Sequence, residues 1–155
     1  MFVQHYDTTA LDASVLLMPL LRFLPSEDPR IRDTVMAIAD ELTVDELVLR
    51  YRVEETEDGF EGEEGTFTIC SFWLVSALVE IGELARARQL CEKLLSYASP
   101  LQLYAEELDP RSGRHLGNFP QAFTHLALVN AVVHVIRAEA GGDANTFRPQ
   151  GVSLL

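Results

Sequence analysis

Hydrophobic residues recur at helical spacing in five stretches that are separated by polar turns, and this pattern predicts an all-α chain. The predicted helices cover residues 8–23, 28–42, 66–81, 83–97 and 118–140. The first stretch is apolar almost all round, which indicates burial on more than one side. The turn between the third and fourth stretches is very short, so we expect these two helices to form an antiparallel hairpin.

Residues with known preferences for helix ends mark several boundaries. Asp28 followed by Pro29 is typical of an N-cap and a first helical position. Gly82 is placed as the C-terminal glycine of the third helix. Asn118 is the predicted N-cap of the fifth helix. Residues 47–53 favour a short strand or an extended segment, residues 54–64 a polar acidic loop and residues 100–117 an irregular loop. One domain over residues 1–140 with a loose tail at 141–155 follows from this pattern.

Composition narrows the possible partners. A chain of 155 residues with 48% hydrophobic residues suits a single globular domain. The net charge is −12 and Lys93 is the only lysine, which argues against binding to nucleic acid or to an anionic membrane. Cys70 and Cys91 fall inside predicted helices and are expected to be buried free thiols. We expect no metal or other cofactor, and the absence of a signal-peptide pattern favours a cytoplasmic location.

Two adjacent carboxylates, Glu106 and Glu107, lie in the polar segment before the fifth helix. A carboxylate on a loop that is held by rigid helices can activate water for attack on a glycosidic carbon. Inverting hydrolysis also needs a second carboxylic acid roughly 6.5–9.5 Å away. The alternative is that both residues are solvated loop charges.

Other residues allow a sugar-binding interpretation and a structural one. Arg50 and Arg52 alternate with Tyr51, so the arginines would point to one side of an extended segment, towards a polyhydroxylated ligand or towards the acidic run at 54–64. That run could hold a cation or sugar hydroxyls, or be a solvated loop. Trp73, beside Phe72, could stack on a pyranose or belong to the core. Structural or surface roles are favoured for the four histidines, which are His5, His115, His125 and His134.

Four segments, taken in order, resemble glycoside hydrolase family 15, which contains glucoamylase-like and trehalase-like enzymes. They are FVQ at 2–4 with LDAS at 11–14, RYR at 50–52, GEEGTF at 62–67 leading to CSFWL at 70–74, and AEE at 105–107 with GNFPQAF at 117–123. The resemblance runs to about residue 140. It matches only the C-terminal part of the family's catalytic domain.

The resemblance implies an (α/α)6 barrel and hydrolysis, with inversion, of α-glucosidic bonds in starch-type oligosaccharides or trehalose. Glu106 matches the family's general base, and Glu107 lies beside it. Arg50 and Tyr51 match the family's sugar-site motif. The family's general acid lies in the part that has no match here, so we expect the isolated chain to be inactive.

A partial barrel of about five helices in antiparallel hairpins would expose apolar faces that the missing helices cover in a complete barrel. We expect the first helix to expose the largest such face. The expected partner is a second copy in a homodimer, or an upstream chain that completes the barrel. The alternative function is a non-catalytic helical module that binds sugar or protein and forms a homodimer.

Overall fold

The computed structural model describes residues 1–52 and 65–141, and over these residues the chain contains five α-helices. The helices are α1 (Leu17–Leu20), α2 (Pro29–Glu41), α3 (Thr68–Glu80), α4 (Leu84–Ser96) and α5 (Ala122–Glu139). A short 3₁₀ helix, Ala13–Leu16, leads into α1. The helical class of the fold is therefore confirmed. The predicted acidic loop at 54–64, Val53 and the tail from residue 142 onwards lie outside the described residues.

The long first helix expected at residues 8–23 is wrong. Helical structure begins only at Ala13, because the side chain of Asp12 caps it by accepting a hydrogen bond from the Ser14 N–H at 2.7 Å. Pro19 has no N–H to donate within α1. The segment then ends at Arg22, whose φ of 55° is left-handed. Local caps and a proline thus override an apolar pattern that reads as one helix.

The second helix begins as predicted. The Oδ1 atom of Asp28 accepts a hydrogen bond from the Arg30 N–H at 2.9 Å, and Pro29 is the first helical residue. The buried side of α2 contains Ile31, Val35 and Ile38. These residues recur at three- and four-residue spacing, so one face of the helix packs on the core.

Within residues 1–52 and 65–141, five two-residue strands form two small antiparallel sheets. In the first sheet β1 (Thr43–Val44) pairs with β2 (Leu47–Val48). In the second, β4 (Glu107–Leu108) lies between β3 (Thr66–Phe67) and β5 (His115–Leu116). The predicted strand at 47–53 is therefore found, but it ends at Val48. The expected irregular loop at 100–117 instead supplies two strands, and α3 begins two residues later than predicted because Thr66 and Phe67 belong to β3.

The fifth helix begins at Ala122, so the prediction of Asn118 as its N-cap is wrong. Gln121 has the extended N-cap conformation instead. The residue before a proline disfavours helical backbone, and Phe119 precedes Pro120. The peptide bond between these two residues is cis. The side chain of Asn118 is used elsewhere, in a contact described below.

Helix α3 lies at the centre of the core and packs against both α4 and α5. Most of its residues are buried, including Cys70 and Phe72, and Gly82 follows it with a φ of 83° as predicted. Cys70 and Cys91 are both buried free thiols, which confirms that prediction. Packing of the helices as antiparallel hairpins and completion of a barrel stay predictions. Among the described helices, none has the length and apolar character needed to cross a membrane.

Candidate functional site

The first turn of α3 is the point where distant segments of the chain meet. The Thr68 N–H donates a hydrogen bond to the backbone oxygen of Glu106 at 2.9 Å. Three residues further along the helix, the buried Ser71 hydroxyl accepts a hydrogen bond from the Val48 N–H at 2.9 Å. The glutamate segment and the end of β2 are thus both attached to the same end of α3.

Backbone contacts on both sides of Glu106 fix its position. Its N–H donates to the Asn118 carbonyl at 2.9 Å. The carbonyl of the preceding residue, Ala105, accepts a hydrogen bond from the buried hydroxyl of Thr124 at 3.1 Å. Together with the bond from Thr68, these contacts tie the Glu106 backbone to α3, to α5 and to the segment that precedes α5. A carboxylate that is carried by such a backbone is held by rigid elements rather than by a free loop.

The two carboxylate oxygens of Glu106 have different surroundings. The backbone N–H of Asn118 and its side-chain Nδ2 donate hydrogen bonds to Oε2, at 3.2 and 3.0 Å. Among the described residues, none donates a hydrogen bond to Oε1. The side chain is half-buried. Oε2 is therefore the oxygen that orients the group, and no donor within residues 1–52 and 65–141 competes with water or a ligand for Oε1.

Gly117 permits the close approach of Glu106. Its φ is 69°, and a Cβ atom built on it would lie 2.9 Å from Oε2 and 3.2 Å from the Cβ of Glu106. Both the left-handed backbone and the space therefore require glycine here. The same loop thus supplies the donors to Glu106, through Asn118, and leaves room for its side chain.

Glu107 lies on β4 and contacts a different part of the chain. Its Oε2 atom accepts a hydrogen bond from the Gly65 N–H at 3.1 Å, and a Cβ atom on Gly65 would lie 2.8 Å from the same oxygen. Glu106 lies on the bend before β4, and its carboxylate accepts hydrogen bonds from Asn118 instead. The two glutamates therefore contact separate loops.

Tyr104 anchors the segment that carries the two glutamates. Its ring is buried and packs edge-on against Phe72 and His125, while His115 stacks on it with centroids 6.2 Å apart. The hydroxyl donates to the Leu94 carbonyl at 3.1 Å. Burial raises the pKa of Tyr104 to about 12, so it stays a neutral hydrogen-bond donor. The anchor lies two residues before Glu106.

Two histidines complete this anchor. His125 accepts a hydrogen bond from the Tyr104 N–H at its Nε2 atom, at 3.3 Å, and its Nδ1 atom lies 2.7 Å from the Gln121 carbonyl. A carbonyl only accepts, so Nδ1 carries the proton. His115 donates from Nε2 to the Tyr97 carbonyl at 2.8 Å. The His125 ring thus holds the backbone two residues before Glu106, and the His115 ring holds the end of α4. For these two histidines the structural role is found, out of the structural or surface roles that we expect from the sequence.

Arg50 lies near the same end of α3 but on a bend. Its guanidinium carbon lies 6.0 Å from the centre of the Tyr51 ring, and its carbonyl accepts a hydrogen bond from the Ala13 N–H at 2.8 Å. Burial raises the pKa of the Cys70 thiol to about 12, and the positive charge of Arg50 opposes this shift. Arg50 is exposed. Its charge is therefore available to solvent beside the first turn of α3.

The expected alternation of Arg50, Tyr51 and Arg52 is wrong, because strand β2 ends at Val48 and the chain then bends. Arg50 and Tyr51 consequently contact each other instead of pointing to opposite sides. Arg52 donates a hydrogen bond to the carbonyl of Glu41. The predicted ion pairs with residues 54–64 fall outside the described residues.

Trp73 is half-buried and packs against the hydrophobic core. At about 100° per residue, it lies roughly 140° around α3 from Thr68, the residue that bonds to Glu106. Phe72 is fully buried and is not available as a sugar platform. Over residues 1–52 and 65–141, no group of three His, Cys, Asp or Glu side chains is placed to hold a metal ion.

Several residues that form the site did not stand out from the sequence. The sequence pattern predicts Asn118 as a helix cap, whereas in the structure its side chain donates a hydrogen bond to Glu106. Tyr104 and His125 gave no signal by spacing, since their contact links residues 21 positions apart. One available signal was the alternation of buried and polar positions around Glu107–Leu108, which is typical of a strand.

Known proteins resemble most of the chain. Its relatives include trehalases from three organisms: Mycobacterium tuberculosis (74% identical over 154 residues), Mycolicibacterium smegmatis (77% over 142 residues) and Thermoplasma acidophilum (43% over 129 residues). These matches cover 99%, 92% and 83% of this chain, but 23%, 21% and 22% of the relatives. The chain therefore spans less than a quarter of the length of these relatives. No solved structure matches it.

The family comparison agrees with these relatives. The profile described as glycosyl hydrolases family 15 matches residues 1–133, which include every segment of the site described above. The resemblance seen in the sequence is thereby confirmed, as is its restriction to part of a longer protein's length. The chain belongs to glycosyl hydrolase family 15.

Proposed function

We propose that this chain contributes the general base, Glu106, to an inverting glycoside hydrolase site that acts on an α-glucoside. Trehalose is the proposed substrate, because two mycobacterial relatives that are 74% and 77% identical to this chain over the aligned residues are trehalases. Starch-type oligosaccharides are the alternative α-glucosides within the same family. The proposal assigns a part of an active site to this chain and not the whole of it.

The proposal rests on one observation: the two carboxylate oxygens of Glu106 have different hydrogen-bond partners. Two N–H groups of Asn118 hold Oε2, whereas none of the described residues donates to Oε1. A general base must present one oxygen to a water molecule in a fixed direction, with the base oxygen and the water oxygen about 2.6–3.2 Å apart. Oε1 would accept that proton, while the bonds to Oε2 prevent the group from rotating.

Other residues have proposed roles around the sugar. The exposed guanidinium of Arg50, supported by the Tyr51 ring, would donate hydrogen bonds to sugar hydroxyls. Glu107 would accept a hydrogen bond from a sugar hydroxyl on the other side of β4. Trp73, which packs against the core from α3, is assigned to substrate binding on its aromatic character.

The general acid is proposed to come from a polypeptide that corresponds to the rest of the relatives' length. Inversion requires two carboxyl groups separated by roughly 6.5–9.5 Å, with water and the sugar between them. Glu107 accepts a hydrogen bond from the Gly65 N–H, and we assign it to sugar binding and not to the role of the acid. We therefore expect no measurable hydrolysis of trehalose by the isolated chain.

A chimera tests the role of Glu106 in a complete enzyme. The matching segment of the Mycobacterium tuberculosis trehalase is replaced by this chain, and the release of glucose from trehalose is measured. The chimera should hydrolyse trehalose, and Glu106→Gln should lower kcat by about 10²–10⁴-fold, the usual contribution of a general base. Glu107→Gln is the matched control, and it should change KM more than kcat.

Two outcomes would contradict the proposal. One is a Glu106→Gln chimera that keeps its kcat within a few-fold of the parent. The other is efficient turnover by the isolated chain that Glu106→Gln abolishes, because this would show that no external acid is needed. Calorimetric titration of the isolated chain with millimolar trehalose separately tests whether it binds sugar without hydrolysing it.

A further inference from the structure

The backbone that leads to Glu106 is bonded at Tyr104 to the first turn of α5. The Tyr104 carbonyl accepts a hydrogen bond from the Gln121 N–H at 2.9 Å, and the Tyr104 N–H donates to Nε2 of His125 at 3.3 Å. Tyr104 is buried, so bulk water does not replace a partner that its N–H loses. His125 thus supplies one of the two bonds that fix the backbone two residues before Glu106.

The two hydrogen bonds of His125 are possible in one protonation state only. Nδ1 lies 2.7 Å from the Gln121 carbonyl, which accepts hydrogen bonds and cannot donate them. Nδ1 therefore carries the proton, and Nε2 has the lone pair that the Tyr104 N–H needs. In a protonated imidazole both nitrogens are donors. Protonation at Nε2 therefore breaks the bond to Tyr104 and leaves the bond to Gln121.

The titratable groups packed around His125 in the described part of the chain stay neutral where imidazole changes its charge, at about pH 5–8. Tyr104 meets the ring edge-on with centroids 5.8 Å apart, and burial raises its pKa to about 12. The Cys91 thiol of α4 acts on Tyr104, and burial raises its pKa as well. None of the ion pairs within residues 1–52 and 65–141 includes His125. The Glu106 carboxylate also takes up a proton as the pH falls, so the two groups must be separated experimentally.

His115 offers an internal comparison. It stacks on the Tyr104 ring with centroids 6.2 Å apart and donates from Nε2 to the Tyr97 carbonyl at 2.8 Å. A nitrogen that already donates keeps its hydrogen bond when the ring is protonated. Of these two imidazoles, only His125 loses a hydrogen bond when it takes up a proton.

We propose that His125 is a positioning residue for the general base. Its neutral imidazole holds the Tyr104 N–H and with it the backbone that carries Glu106, and protonation at Nε2 releases this bond and lets the segment shift. The inference rests on the proposed function, because it takes Glu106 as the base. It adds a proton-sensitive group that acts through the backbone and not on the substrate.

The activity of the trehalase chimera tests whether the acceptor is needed. His125→Gln keeps an acceptor without a charge, because the glutamine Oε1 lies the same number of bonds from Cβ as Nε2 of histidine. His125→Leu is of similar size and has no acceptor. At about pH 7.5, kcat should stay within about threefold of the parent in His125→Gln and fall about tenfold in His125→Leu, since a buried N–H then lacks its partner. KM should change little in either variant.

The pH dependence of kcat separates positioning from packing. Between about pH 7.5 and about pH 5.5, the parent chimera should lose kcat through protonation of both Glu106 and His125, whereas His125→Gln should lose it through Glu106 alone. The fall should therefore be about tenfold smaller in His125→Gln. His134→Gln is the matched control, because it removes the second histidine of α5, and it should show the same fall as the parent.

Nuclear magnetic resonance of the 155-residue chain gives a measurement that does not depend on hydrolysis. The nitrogen chemical shifts of His125 should show a protonated Nδ1 and an unprotonated Nε2 at neutral pH. As the pH falls, the amide signals of Tyr104 and Glu106 should move with a component that is absent in His125→Gln. A Glu106→Gln chimera that keeps its kcat would remove the proposed base and leave these shifts unchanged, so the two failures give different results.

The inference is wrong if Nε2 carries the proton at neutral pH, or if the Tyr104 amide signal does not respond to protonation of His125. It is also wrong if the His125→Gln chimera keeps the full acid fall of the parent, or if a folded His125→Leu chimera retains the parent's kcat. Circular dichroism melting shows whether each variant is folded. If His125→Leu does not fold, His125→Gln and the spectra of the parent chain still decide.

Discussion

Replacing Gly117 by alanine should disturb the carboxylate of Glu106 and destabilise the chain more than an ordinary glycine substitution does. Two effects combine at this position. The φ of 69° strains any residue that has a Cβ atom, and the new methyl group would lie 2.9 Å from Oε2 and 3.2 Å from the Cβ of Glu106. Gly82 offers a matched control, because its φ is 83° but nothing lies within 4 Å of a Cβ atom built there.

The two effects can be separated in magnitude. Left-handed backbone at a residue with a side chain costs about 1 kcal/mol, and this should be the whole effect of Gly82→Ala. At Gly117 the flexible end of Glu106 can swing away from the methyl group, but it then loses the hydrogen bonds from Asn118, at about 1 kcal/mol net. We therefore expect Gly117→Ala to lower the free energy of unfolding by about 2 kcal/mol. For a chain of this size the melting temperature should fall by roughly 4–8 °C, against 2–4 °C for the control.

Urea denaturation followed by circular dichroism gives the free energy of unfolding of both glycine variants. The same two substitutions in a Glu106→Ala background isolate the contribution of the contact with the Glu106 side chain. Without the glutamate carboxylate, the excess cost of Gly117→Ala over Gly82→Ala should shrink by at least half, since neighbouring residues in contact are not additive. In the trehalase chimera, Gly117→Ala should also lower kcat by tenfold or more, because small displacements of a catalytic group are costly. Equal losses for the two glycine variants, or an excess that persists without Glu106, would refute the reasoning.

The remaining predictions concern buried groups. Tyr104→Phe should cost about 1 kcal/mol through the lost bond to the Leu94 carbonyl, and Tyr104→Ala about 3–5 kcal/mol, both measured by urea denaturation. Cys70 and Cys91 should react with iodoacetamide at neutral pH only after unfolding, because burial raises the pKa of both thiols; rapid labelling of the native chain would contradict this. Burial lowers the pKa of His134 below 6.5, so the unfolded state takes up the proton first. Stability should therefore fall as the pH drops below 6.5, with a smaller fall in His134→Gln.

Local chemistry determined which parts of the fold could be predicted from the sequence. The start of α2 follows from Asp28 and Pro29, which act within one turn, and the end of α3 follows from Gly82. Strands β3, β4 and β5 could not be predicted, because each has two residues and exists only through pairing with residues up to about 40 positions away. For the first helix the local pattern misleads. Hydrophobic residues do recur at helical spacing there, but the cap at Asp12 and the missing N–H of Pro19 restrict how much of the segment is helical.

At the site, Asn118 shows the same difference between what the local sequence predicts and what distant contacts determine. Asn118 is a short polar residue before an apolar helix, and the most economical local interpretation makes it an N-cap. Pro120 excludes helical backbone at Phe119, which moves the start of α5 to Ala122 and frees the Asn118 amide from capping. That amide then reaches Glu106, twelve positions away, where it orients the carboxylate. The sequence motif therefore identifies the proposed base, but what makes this glutamate different from Glu107 is a contact that depends on where a neighbouring helix begins.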